Sequence, residues 1–99
     1  MAPAASSRRV ALGLDFGTES VRALAVDVAD GALLGRGAAS YAHGVMSERL
    51  RVAGPAGRDE EVSPALPADF ALQHPDDYLA AAEQAARAAL GDGAAVVAI

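Results

Sequence analysis

Gly13-Leu14-Asp15-Phe16-Gly17-Thr18-Glu19-Ser20-Val21-Arg22 is the stretch on which the reading of this chain turns. Upstream of it, Val10 to Leu14 is a short apolar run with its larger side chains at alternate positions, the pattern of a strand with one packed face. Asp15 to Glu19 interrupts that run with turn chemistry. A second strand resumes from Ser20 to Val28, with Val21, Ala23, Ala25 and Asp27 on one face and Arg22, Leu24, Val26 and Val28 on the other. Asp30-Gly31 is a tight-hairpin signal, and a third strand of roughly 32–41 follows it. Three consecutive strands with short connections make an antiparallel meander.

Working outward, residues 1–9 read as a disordered leader and 10–99 as the structured part. From Ala42 to Ala68 periodicity is lost among Gly44, Gly54, Pro55, Gly57, Pro64 and Pro67, with a charged run from Arg58 to Glu61, so a long loop is expected. A helix then starts with His74 as cap and Pro75 at its first position, with Asp76 and Asp77 in the first turn where the helix dipole favours negative charge. Leu79, Ala82, Ala86 and Leu90 mark its expected apolar stripe, and Gly91 its stop. Residues 94–99 read as a fourth strand able to lie parallel to the first. The fold class is therefore α/β, in the order β-β-β-α-β.

Composition narrows the partners. The formal net charge is -5, which argues against a nucleic-acid or anionic-membrane surface. There is no Cys, hence no disulfide and no thiolate metal site. The two arginines near the start are followed by no apolar segment of the secretory kind, and no apolar run approaches the roughly 20 residues of a membrane span. A cytoplasmic location is the expectation. Hydrophobic residues make up 53% of the chain, but many are alanine, which buries little area each.

The loop itself carries chemistry. Gly17 permits a close backbone approach to a ligand, and the Thr18 and Ser20 hydroxyls and the backbone N–H groups are donors for phosphate oxygens. Asp15, at a strand end, can hold Mg²⁺ directly or through water. A carboxylate beside a phosphate needs such a cation, because the two anions otherwise repel. Arg22 either supports the loop or pairs with an acidic neighbour.

The pattern Gly13, Asp15, Gly17, Thr18, Ser20, Arg22 resembles the opening of the FGGY carbohydrate kinases, within the actin-like ATPase superfamily. Asp15 to Asp27 (DFGTESVRALAVD), Tyr41 to Met46 (YAHGVM) and Leu66 to Leu79 (LPADFALQHPDDYL) resemble the ribulokinases of that family. The resemblance implies the N-terminal part of a ribonuclease H-like domain. It also implies ATP and Mg²⁺ as cofactors, with Asp15, Gly17, Thr18, Ser20 and Arg22 around the nucleotide phosphates and Asp15 on the metal. The implied substrate is L-ribulose or a related ketose, phosphorylated to L-ribulose 5-phosphate. A carboxylate base and most sugar contacts are expected beyond Ile99, so no catalytic base is assigned within these residues, and a homodimer is left open for the full-length protein. The loop from Arg51 to Ser63 has no counterpart in the family pattern. Two other readings stay open: a different actin-like ATPase, which the phosphate loop alone permits, and a truncated, non-catalytic product. Of the remaining polar residues, His74 is read as a cap rather than a ligand and Tyr78 as a packing residue. His43 is read as having no second ligand nearby, and Asp59-Glu60-Glu61 as a solvated run.

Overall fold

The computed structural model describes residues 8–53 and 59–99. Strands β1 (Arg8–Phe16), β2 (Ser20–Asp27) and β3 (Leu33–Ser40) form the expected meander, antiparallel throughout. Helix α1 (Pro75–Leu90) leads into β8 (Ala94–Ala98), which pairs with β1 in parallel, so the four-stranded mixed sheet has the order β3-β2-β1-β8. The order β-β-β-α-β holds for this sheet and its helix; four further short strands intervene. Strand β1 starts at Arg8, inside the expected leader, because Arg8 and Arg9 pair with Ala94 and Ala95. The rest of that leader, residues 1–7, lies outside the described residues.

The turn between β2 and β3 follows from its aspartates. Asp27 accepts from the Ala29 N–H at 2.8 Å and Asp30 from the Ala32 N–H at 2.9 Å, while Gly31 takes the left-handed backbone (φ 76°) that lets the chain reverse. Alternation in the strands sets the two faces of the sheet. Leu12, Val21, Ala23, Ala25 and Ala39 turn toward α1 and form the core with Tyr41, Ala81, Ala85 and Ala89. The opposite face presents Arg22, Leu24 and Arg36, all exposed.

The helix packs one position away from the expected stripe. Leu79 is 74% exposed, and Asp77, Ala81, Ala85 and Ala89 are the buried residues. The cause lies on β3. A Cβ on Gly35 would stand 2.0 Å from the Ala89 carbonyl oxygen, and one on Gly37 2.2 Å from that of Ala85. Helix and strand backbones approach so closely that only the smallest side chains fit between them, which turns the alanine face inward and leaves Leu79 outside. The ends of the helix are as expected. His74 accepts from the Asp76 N–H at 3.3 Å, Pro75 is the first residue, and the Gly91 N–H donates to the Arg87 carbonyl at 3.0 Å.

The expected long loop is also more structured than its composition indicates. Strands β4 (Val45–Met46) and β7 (Leu72–Gln73) pair with each other, as do β5 (Arg51–Ala53) and β6 (Asp59–Glu61). At two or three residues each they are too short for alternation to show in the sequence. Gly54, Pro55, Gly57 and Arg58 of that loop lie outside the described residues. Glu60 and Glu61 are solvated as expected, Glu61 standing 3.6 Å from Arg49. Among the described residues no helix is long and apolar enough to cross a membrane.

The close helix–strand contact generates a first prediction. Gly37→Ala places a methyl group against the Ala85 carbonyl and should destabilise the protein by about 2–3 kcal/mol. Gly13→Ala meets no atom within 4 Å and should change stability by less than about 0.5 kcal/mol. Urea unfolding of the two variants checks this, and equal midpoints would refute the packing account.

Candidate functional site

Strand pairing continues through Asp15↔Arg22 and Phe16↔Val21, so the turn between β1 and β2 is confined to Gly17, Thr18 and Glu19. It is tighter than the sequence reading, which began it at Asp15. The Gly17 N–H donates to the Ser20 carbonyl at 2.8 Å. That N–H is therefore engaged within the turn. Gly17 is outside the left-handed region; the constraint is space, since a Cβ there would stand 3.0 Å from the Ser20 carbonyl oxygen.

All five residues singled out by the sequence come together. Asp15, Gly17, Thr18, Ser20 and Arg22, with Glu19, line one open hollow of about 400 Å³. Asp15 and Arg22 reach it from opposite positions of the β1–β2 ladder, on the sheet face away from α1. Its charged lining is two carboxylates, Asp15 and Glu19, and one guanidinium, Arg22. That set is net negative, so an anion settles there only with a cation to bridge it to the carboxylates.

On the other side, protein groups hold the carbonyls of the turn beside a second open hollow lined by Phe16, Gly17, Thr18, Gln73 and Tyr78. The Tyr41 hydroxyl donates to the Gly17 carbonyl at 3.0 Å, the Gln73 side-chain amide donates to the Thr18 carbonyl, and the Tyr41 N–H donates to the Glu19 carbonyl at 3.0 Å. The Tyr78 hydroxyl donates in turn to Gln73 Oε1. Tyr78 packs edge-on against Tyr41 (5.0 Å between ring centroids) and Phe16 (5.9 Å). Burial raises the pKa of the Tyr41 hydroxyl above its ordinary value, with Tyr78 and the Asp15 carboxylate adding to the effect, so the hydroxyl stays protonated and donates at neutral pH. Tyr78 is thus a packing residue, as read, and a hydrogen-bond donor as well.

A second polar cluster stands beside this one. His43 donates its backbone N–H to Asp77 Oδ2 at 2.9 Å, and its Nδ1 lies 2.8 Å from Asp77 Oδ1. His74 stacks on the His43 ring at 4.6 Å. His43, read as lacking a second ligand nearby, therefore has both His74 and Asp77 within reach of a shared ion. The contact joins residues 34 positions apart, a separation that local pattern does not reveal. Burial alone would raise the Asp77 carboxyl. The ring and backbone N–H of His43, with charge on His43 and His74, outweigh it and hold the carboxyl below its ordinary range. His74 has the capping role assigned to it.

No protein-family model matches the chain. Over 68 residues it is 50% identical to the ribulokinase of Mycolicibacterium smegmatis, a match covering 69% of this chain and 11% of that protein. Over 72 residues it is 40% identical to the ribulokinase of Shouchella clausii (strain KSM-K16) and 38% identical to that of Geobacillus thermodenitrificans (strain NG80-2), in each case over 73% of this chain and 11% of the relative. The chain spans about a tenth of the length of these curated relatives. The matches support a relationship to the FGGY carbohydrate kinases at the level of this segment. The relatives named here are all ribulokinases.

The Asp77 contact yields a prediction with a defined sign. A carboxylate whose pKa falls on folding stabilises the native state above its unfolded value, and that contribution is lost as pH falls through the lowered native one. Asp77→Asn should therefore cost roughly 2 kcal/mol at pH 7, the scale of a hydrogen bond to a charged group. The gap to wild type should hold down to the ordinary carboxyl value of 3.8 and close only below it. Denaturant midpoints across that range measure it, and a gap that closes between pH 7 and 5 would refute this account.

Proposed function

We propose that this chain is the N-terminal segment of an ATP-dependent sugar kinase with a ribonuclease H-like ATPase fold. In this reading the β1–β2 turn is the loop that holds the nucleotide phosphates. The observation that carries it is the convergence of Asp15, Gly17, Thr18, Ser20 and Arg22 on one hollow. The matches to ribulokinases favour L-ribulose, or a related pentulose, as the sugar of the whole protein. They also favour a sugar kinase over an ATPase that only switches conformation.

The donor set fits the cofactors. Asp15 is an exposed carboxylate at a strand end, suited to Mg²⁺ directly or through water. The Thr18 and Ser20 hydroxyls and the loop N–H groups are donors for phosphate oxygens. Bound Mg²⁺ supplies charge neutralisation for the phosphates. Arg22, opposite Asp15, adds positive charge at the rim and offsets part of the carboxylate repulsion. Taking the proton from the sugar hydroxyl is left to a carboxylate base outside these residues.

In the full-length protein, Asp15→Ala should lower turnover at saturating Mg²⁺–ATP by at least about a hundredfold, the scale of electrostatic terms in phosphoryl transfer. Gly17→Val should weaken nucleotide binding by calorimetry with secondary structure largely retained, since its side chain presses on the Ser20 carbonyl and into the approach to the loop. ATP consumption should rise on adding L-ribulose. Turnover indifferent to pentuloses would favour a conformational ATPase, and near-wild-type turnover of Asp15→Ala would remove this hollow from the active site.

A further inference from the structure

We infer that Tyr41, Gln73 and Tyr78 are positioning residues that orient the backbone N–H groups of Thr18 and Glu19 toward a phosphate in the hollow. The inference rests on the reading of the turn as a phosphate loop and adds to it the device that sets the loop's polarity.

The argument is one of peptide geometry. In a trans peptide the carbonyl and the following N–H lie in one plane and point in opposite directions, and no peptide bond among the described residues is cis. The Gly17 carbonyl is held by the Tyr41 hydroxyl, so the Thr18 N–H in the same plane points away from Tyr41. The Thr18 carbonyl is held by the Gln73 amide, so the Glu19 N–H points away from Gln73. Among the described residues neither N–H has a hydrogen-bond acceptor. Phe16, Gln73 and Tyr78 border the turn on one side, and Asp15, Ser20 and Arg22 on the other. The two N–H groups thus converge on the side of the hollow as a small anion-binding nest.

Each holding group is itself held. Gln73 sits in β7, and its amide oxygen accepts from Tyr78, which fixes the amide with its NH₂ toward Thr18. Tyr78 is in the first turn of α1 and is braced edge-on by Tyr41 and Phe16. Loss of either donor lets its peptide plane rotate, and the N–H loses its aim before the fold loses its core. The group recognised is a phosphate, so the consequence should fall on the phosphate-bearing part of a nucleotide and spare the rest.

The test uses the full-length protein and two near-isosteric variants, Tyr41→Phe and Gln73→Met. Calorimetry with Mg²⁺–ADP and with adenosine reads the phosphate contribution separately from nucleoside binding. Each variant should bind Mg²⁺–ADP about tenfold more weakly, as expected for one misaligned hydrogen bond to a charged group. Adenosine affinity and the unfolding midpoint should stay within a factor of two and a degree or two of wild type. Amide exchange of residues 16–20 should slow on Mg²⁺–ADP binding in wild type and less so in the variants. If Asp15→Ala weakens Mg²⁺–ADP binding and these two variants do not, the positioning role is wrong while the phosphate loop survives. Equal losses for ADP and adenosine would make the residues merely structural. A wild-type protein that binds no nucleotide would overturn the loop reading and this inference together.

Discussion

Helix α1 and strand β3 meet backbone to backbone. Helix α1 lies on β3 with the carbonyls of Ala85 and Ala89 where side chains of Gly37 and Gly35 would otherwise stand. That contact sets the height of the helix above the sheet and its rotation about its own axis. With Ala81, Ala85 and Ala89 turned inward, the same face carries Asp77 into the protein one turn earlier, and Tyr78 beside it. The first turn of the helix then meets the chain as it leaves β3, at Tyr41 and His43. What reaches the β1–β2 turn from the helix side follows from two glycines on β3, Gly35 and Gly37, that do not touch the turn themselves.

The two aspartates that matter most differ in environment rather than in chemistry. Asp77 is 6% exposed, and His43 reaches both of its oxygens. Its charge is satisfied by the protein, and its work is to tie the segment after β3 to the helix. Asp15 is exposed on the open face of the sheet, with Arg22 opposite it and Glu19 nearby. A carboxylate in that position keeps its lone pairs available to a cation. In the proposed reading the exposed one serves chemistry, while the buried one is held by the architecture.

Much of this was legible in sequence where contrast is local. The strand alternation, the Asp30-Gly31 reversal, the His74-Pro75 start and the Gly91 stop each rest on residues with sharp conformational preferences. The five residues of the hollow were legible because they fall within eight positions of one another. The helix stripe was legible only in part: Ala86 and Leu90 pack at the edge of the core, but alanine occupies so many positions that the apolar period has little contrast, and Leu79 draws the eye to the wrong face. The short ladders of residues 45–73 lay below the length at which alternation can be read. Tyr41, Gln73 and Tyr78 were present in stretches that resemble the kinases, yet nothing local says what they touch. Tyr41 meets Gly17 across 24 positions and Gln73 meets Thr18 across 55.

Among the described residues the β1–β2 turn lies between two unlike surroundings. On the helix side, the Tyr41 hydroxyl, the Gln73 amide and the Tyr41 N–H take up its carbonyls. On the other side, Asp15, Ser20 and Arg22 line the hollow. A peptide plane held by its carbonyl on one side has its donor committed to the other, at no further cost in conformational entropy when an anion arrives. In the proposed phosphate loop, carbonyls held from the α1 side are therefore what would turn a reversal of the chain into an oriented row of donors.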